Sequence, residues 1–175
     1  LVARTKELDS TRPVIDNDGW EHTCETDLCT LHDYTPTGEA IRSRYLSGGE
    51  AFGVPTATWL PGIQSFVEGC AYEGQPVLLT EVGGYLSKPT WLPSSAWDDE
   101  LYGGYDSYDT REQMVEKYKD LMLGIARIPS VVGFCYTQLV DVEQETNGLM
   151  TYDRLPKVLP DWIASRTASR LSVTQ

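Results

Sequence analysis

Short apolar runs that close on polar residues, each followed by a connecting stretch that is polar or helically spaced, constrain this chain more than any other feature. Pro13-Val14-Ile15-Asp16, Asp27-Leu28-Cys29-Thr30-Leu31-His32, Pro76-Val77-Leu78-Leu79-Thr80-Glu81 and Ser130 to Tyr136 have the length and composition of strands. The third is hydrophobic without interruption until its end, as a parallel strand covered on both faces must be. A helix is predicted from about Thr37 to Leu46 after Pro36. Another begins at Thr110-Arg111-Glu112-Gln113, which has capping-box spacing, and continues through Met114, Tyr118, Leu121, Met122 and Ile125 until Pro129 ends it. The opening residues through Leu8-Asp9-Ser10 read as the end of a helix turning at Thr11-Arg12-Pro13, and a last helix is predicted within Pro160 to Leu171. The pattern amounts to four strand–helix units.

Alternation of this kind dictates a parallel sheet with right-handed crossovers, whose function gathers at the carboxyl ends of the strands. A complete eight-stranded barrel takes at least about 200 residues. At 175 residues the expectation is an α/β chain forming a partial TIM barrel. The formal charge of −12 repels a phosphate backbone and argues against nucleic acid as a partner. No apolar run approaches the roughly 18 residues of a membrane span, which argues against a membrane partner. Leu1 to Glu7 lacks the basic-then-apolar plan of a signal peptide and reads as a cut end, leaving localisation open with the cytoplasm slightly favoured. The four cysteines are too scattered to suggest a disulfide framework; Cys29 and Cys135 lie inside apolar runs, and buried free thiols are expected. Cys24, Cys29, His22 and His32 lack zinc-ligand spacing, so no metal is expected.

The motifs of serine hydrolases, nucleotide-binding loops, dinucleotide folds and zincins are all missing, and no cofactor is implied. Asp16-Asn17-Asp18-Gly19 places its glycine too early for a calcium loop and lacks a following Asp or Asn ligand. Carboxylates and aromatics remain. Glu81 closes an apolar strand before Gly83-Gly84, so it either projects into the mouth of the sheet as a nucleophile, or caps the following turn or pairs with a basic neighbour. Trp91, Trp97, Tyr102, Tyr105 and Tyr108 fall in one aromatic-rich loop, where they either stack on sugar faces or pack that loop onto the scaffold. His32 and Tyr34 stand at a strand end as hydrogen-bonding groups or as satisfied core-edge residues.

A resemblance bears on these alternatives. Thr11-Arg12-Pro13-Val14, Asp27 to Tyr34, Pro76 to Gly84, and Gly133 to Leu139 through Thr151 to Lys157 resemble, in order, the catalytic barrel of family 2 glycoside hydrolases, which includes β-galactosidases, β-glucuronidases and β-mannosidases. The resemblance implies barrel strands five to eight and a retaining mechanism with two carboxylates about 5 Å apart. Glu81 matches the nucleophile, Tyr34 a tyrosine that hydrogen-bonds it, and His32 a sugar-contacting position. Thr137 and Gln138 match the end of strand eight, with Thr137 replacing a tryptophan often found there. The family's acid/base is a Glu directly after Asn, and the chain contains no Asn-Glu. The strands seen would be five to eight, so the proton donor is expected on an upstream half; no local carboxylate is a persuasive substitute, although Asp16, Asp18, Glu21 and Asp141 are candidates to lie in the cleft. Where family glucuronidases carry Asn-x-Lys, this sequence reads Glu145-Thr146-Asn147-Gly148, which tilts the expectation toward a neutral hexoside, β-galactoside first.

The sequence thus leads to residues 1–175 as the C-terminal half of a retaining β-glycosidase barrel, inactive in isolation. Glu81 is the catalytic candidate; Tyr34, His32, Asn17, Gln138 and Trp91 are the substrate-binding candidates. Its expected partners are a carbohydrate substrate and the N-terminal half of the barrel or a second half-barrel. The competing readings are a non-catalytic carbohydrate-binding module using the aromatic loop, and a half-barrel that serves only assembly.

Overall fold

The computed structural model describes residues 1–46, 60–87, 106–143 and 145–158. In chain order these form α1 (Val2–Leu8), β1 (Cys29–Asp33), α2 (Gly38–Leu46), β2 (Val77–Gly83), β3 (Leu86–Ser87), β4 (Ser107–Tyr108), α3 (Arg111–Ala126) and β5 (Val131–Thr137). β1, β2 and β5 make a parallel sheet with β2 in the middle, while β3 and β4 form a short parallel pair.

α3 is the element the sequence specifies best. The Thr110 side chain accepts from the Gln113 N–H and Gln113 reaches back to the cap backbone, closing the capping box. Met114, Tyr118, Leu121 and Ile125 then fall on one buried face. That face and Ile41 and Tyr45 of α2 cover a core containing Leu31, Val77, Leu79 and Val82 from the sheet. α2 and α3 cross at glycine: a Cβ on Gly124 would lie 2.2 Å from the Gly38 carbonyl oxygen, and one on Gly38 would lie 2.1 Å from that of Asp120. The Gly38 N–H donates to Asp120 Oδ2 at 2.7 Å across the same contact.

Three expectations are corrected, and of the two alternatives for the aromatic-rich loop the packing one is met at Tyr108. Residues 13–16 form no strand, because the backbone there is satisfied locally: the Val14 N–H donates to Asp27 Oδ2 and its carbonyl accepts from the Asp27 N–H, while Asp16 turns its carboxylate onto the next loop. The described sheet consequently has three strands. The loop from Tyr85 to Tyr108 is pinned at both ends by the β3–β4 pair, and Tyr108 is buried in the core, so its ring packs. Cys24 and Cys70 are joined by a disulfide, with Cα atoms 5.1 Å apart. Cys29 is a buried thiol as expected, but Cys135 is exposed because β5 is the edge of the described sheet and turns Val132 and Cys135 outward. The helix predicted within Pro160 to Leu171 lies outside the described residues.

Candidate active site

All three strands of the main sheet run the same way, so their carboxyl ends share one rim. Glu81 stands near the end of the central strand opposite His32 of β1, and Tyr34 follows β1 directly. Two irregularities aim these side chains. The β1–β2 register shifts between Leu31 and His32, and the β2–β5 register shifts between Leu79 and Val82, so Thr80 and Glu81 leave the regular pairing. Bulges of this type re-aim a side chain at the cost of ladder bonds. Gly83, at φ +86°, then turns the chain away; a Cβ there would enter the Tyr136 ring at 2.2 Å.

These residues converge on one carboxylate oxygen. The Tyr34 hydroxyl donates to Glu81 Oε2 at 2.5 Å and also lies 3.3 Å from Thr137 Oγ1 at the end of β5. His32 Nδ1 lies 3.2 Å from the same Oε2. No hydrogen bond from the described residues reaches Oε1. Tyr34 is 6% exposed, whereas the Glu81 side chain is 39% exposed, so a buried phenol holds a carboxylate that still faces solvent. Asp33 sets up the turn that presents Tyr34: its Oδ1 accepts from the Thr35 N–H, and its Oδ2 pairs with Arg44 Nε at 3.1 Å.

The far nitrogen of His32 meets a second carboxylate. Nε2 lies 3.1 Å from Asp18 Oδ2, and Asp18 Oδ1 accepts from the Thr80 hydroxyl at 2.7 Å. Partial burial opposes ionisation of Asp18, but the hydrogen bonds from Thr80 and His32 outweigh it and hold the carboxyl below the usual range. A general acid needs the opposite, a carboxyl kept protonated. Gly19, at φ +93°, lets the loop lie flat on the His32 ring, since a Cβ there would approach the ring within 2.6 Å. Trp20 adds an edge contact, its centroid 4.8 Å from that of His32.

The loop carrying Asp18 is fixed from behind. Asp16 accepts from the backbone of Asn17 and Thr23 and bonds His22 Nδ1 at 2.7 Å, and the fully buried His22 faces Thr30 with its other nitrogen. Burial opposes the charge on Asp16, yet the His22, Thr23 and Asn17 hydrogen bonds push its carboxyl well below the usual range. Glu21 and His22 pair through backbone with Gln64 and Ser65, and the Cys24–Cys70 disulfide closes the same contact. His22 is a structural histidine here.

Glu81, Tyr34 and His32 are brought together, with Thr137 beside them. Asn17 lies in the loop next to Asp18; its amide donates to the Trp20 carbonyl and its own carbonyl accepts from Thr30. The Gln138 amide is held by Asn147 Oδ1 at 2.8 Å and Glu145 Oε2 at 3.0 Å. Trp91, like Trp97, Tyr102 and Tyr105, lies outside the described residues. Asp141 is paired with Lys157 at 2.6 Å and accepts from the Gly148 N–H. A shallow depression of about 420 Å³ lined by Val140, Asp141, Tyr152, Asp153 and Arg154 contains none of the converging residues. What the sequence did not single out is the joint role of Asp18, Thr80 and Trp20; the only signal was the polar, glycine-containing loop itself.

No protein-family model matches the chain, and no curated protein matches it in sequence. Solved structures do match. An exo-beta-agarase aligns over 98% of this chain and 21% of its own, with TM-score 0.59 and 10% identity. A GH2 beta-galacturonidase from Eisenbergiella tayi aligns over 96% of this chain and 29% of its own, with TM-score 0.58 and 14% identity. The fold is glycosidase-like. The agarase AgWH50C agrees, with TM-score 0.57 and 10% identity over 99% of this chain and 22% of its own. The glycosidase-like chain therefore spans between a fifth and a third of the length of these structures.

Proposed function

We propose that this chain is the C-terminal half of the barrel of a retaining β-glycosidase, with Glu81 as nucleophile and the acid/base supplied by residues outside these 175. The observation that carries the reading is the pair of contacts on Glu81 Oε2, from Tyr34 at 2.5 Å and His32 at 3.2 Å, at the carboxyl end of the central parallel strand. Holding one oxygen leaves Oε1 to form a bond with an anomeric carbon. Positioning of this kind lowers the entropic part of the barrier. The family resemblance supports the same assignment of Glu81 and Tyr34.

The substrate class that fits best is a neutral β-hexoside, β-galactosides first. In the loop after β5, Lys157 is spent on Asp141 and on the Thr146 carbonyl, at 2.6 and 2.8 Å. A sugar carboxylate would have to break that largely buried pair.

The test uses a dinitrophenyl β-galactoside with fluorine on the carbon beside the anomeric one. Oε1 bonds the anomeric carbon as the bond to the aryl oxygen breaks, and dinitrophenolate leaves with the electron pair. No proton donor is needed. The expected result is one covalent adduct per chain, mapped by peptide mass to Glu81 and absent in Glu81→Gln, without steady-state turnover of ordinary aryl galactosides. An adduct that persists in Glu81→Gln, or none in the wild-type chain, overturns the nucleophile; brisk turnover by the purified chain overturns the claim that the acid/base lies elsewhere. Faster labelling by the corresponding uronide would overturn the neutral-sugar assignment.

A further inference from the structure

The two carboxylates on His32 suggest a division of labour that the nucleophile alone does not explain. Its ring lies between Glu81 Oε2 at Nδ1, 3.2 Å, and Asp18 Oδ2 at Nε2, 3.1 Å. Nε2 and Asp18 Oδ2 are in hydrogen-bond geometry, while Nδ1 lies against Glu81 Oε2 at ion-pair distance. Asp18 is itself fixed by Thr80, the residue immediately before Glu81 on β2, through a 2.7 Å bond from the hydroxyl. A closed circuit results: Glu81, His32, Asp18, Thr80 and back to Glu81 along the backbone. Gly19 and Trp20, the two residues after Asp18, pack on the face and edge of the same ring.

We propose that Asp18 is a positioning residue for the nucleophile, an inference that rests on the glycosidase reading of Glu81. By anchoring Nε2, it orients the ring so that Nδ1 faces Oε2 at 3.2 Å. With Tyr34 on the same oxygen, Glu81 is held in one rotamer and Oε1 is the oxygen that attacks. Without Asp18 the imidazole keeps its packing on Gly19 and Trp20 but loses the polar anchor on Nε2, which loosens its orientation toward Glu81. Asp18 bonds His32 and Thr80 and so acts on Glu81 through other residues. Its side chain is 54% exposed, so its removal leaves the core intact.

The role is measurable in two independent ways. The first is the rate of adduct formation with the dinitrophenyl fluoro-galactoside. Asp18→Ala is expected to lower the rate constant at saturation about tenfold, the size of one charge-assisted hydrogen bond, while the half-saturating concentration stays within about threefold. Asp18→Asn still offers one hydrogen-bond partner to Nε2 and is expected to recover most of the rate. Thr80→Val, which loosens Asp18 but keeps it, should fall between.

The second readout is nitrogen NMR of the imidazoles, simplified because the chain has 2 histidines. The wild-type chain should show a hydrogen-bonded Nε2–H on His32 that disappears in Asp18→Ala, with the His22 signals unchanged. Equal labelling rates in wild type and Asp18→Ala, an Asp18→Asn variant as slow as Asp18→Ala, or His32 signals indifferent to Asp18→Ala would each overturn the positioning role while leaving Glu81 as nucleophile. Absence of a Glu81 adduct in the wild-type chain overturns the glycosidase reading, and the assignment of Asp18 with it.

Discussion

Breaking the Cys24–Cys70 disulfide should weaken the fold and loosen the site from behind. The two cysteines are separated by 46 positions. In the chain-entropy model, freeing a loop of that length returns about 13 to 14 cal/mol/K to the unfolded state, or about 4 kcal/mol at room temperature. That is a large share of the roughly 5–15 kcal/mol that holds a domain together. With a urea dependence of about 2 kcal/mol per molar, the midpoint should drop by about 2 M in a Cys24→Ser/Cys70→Ser chain. The loss should be felt first in the loop that carries Asp18, since the backbone pairing of Glu21 and His22 with Gln64 and Ser65 lies beside the staple. The assay is a thiol count joined to a urea titration. With a maleimide and no reductant, Cys135 should react in the folded chain, Cys29 only on unfolding, and Cys24 and Cys70 only after reduction. Burial reinforces the order by pushing the Cys29 thiol up to about 12. Four thiols reacting in urea without reductant would refute the pairing, and an unmoved midpoint in the double variant would refute the loop-entropy argument.

Two further perturbations test the scaffold. Gly83→Ala combines a left-handed backbone, φ +86°, with a Cβ 2.2 Å from the Tyr136 ring; a loss of about 2–4 kcal/mol in urea unfolding is expected from the two costs together, and a change under about 0.5 kcal/mol would contradict the described packing. Asp16 binds a proton less readily folded than unfolded, so the unfolded chain takes up more protons and stability rises with pH. Its contribution is complete above the ordinary carboxylate value of about 3.9 and fades as pH falls below it. Asp16→Asn should therefore lower stability at neutral pH and flatten the acid limb of the urea midpoint; parallel wild-type and variant curves would refute the assignment.

The sequence by itself determined the strands Cys29–Asp33, Val77–Gly83 and Val131–Thr137 and the capped helix Arg111–Ala126. Their signals are local: uninterrupted apolar runs, helical spacing and a capping box all act within a few residues. It also determined that Glu81 and Tyr34 end up on one rim, because parallel strands bring their carboxyl ends together whatever their separation along the chain. Tertiary structure decided the rest. Pro13–Asp16 has a strand's composition, but the Val14 backbone pairs with Asp27 and the Asp16 carboxylate accepts from Asn17 and Thr23, partners that a strand's composition does not encode. Cys24 meets Cys70, and Asp18 meets His32 and Thr80, only because separate loops fold onto the same end of the sheet. A carboxylate's partners depend on positions accurate to about an ångström, and periodicity in a sequence fixes faces and ends, not distances.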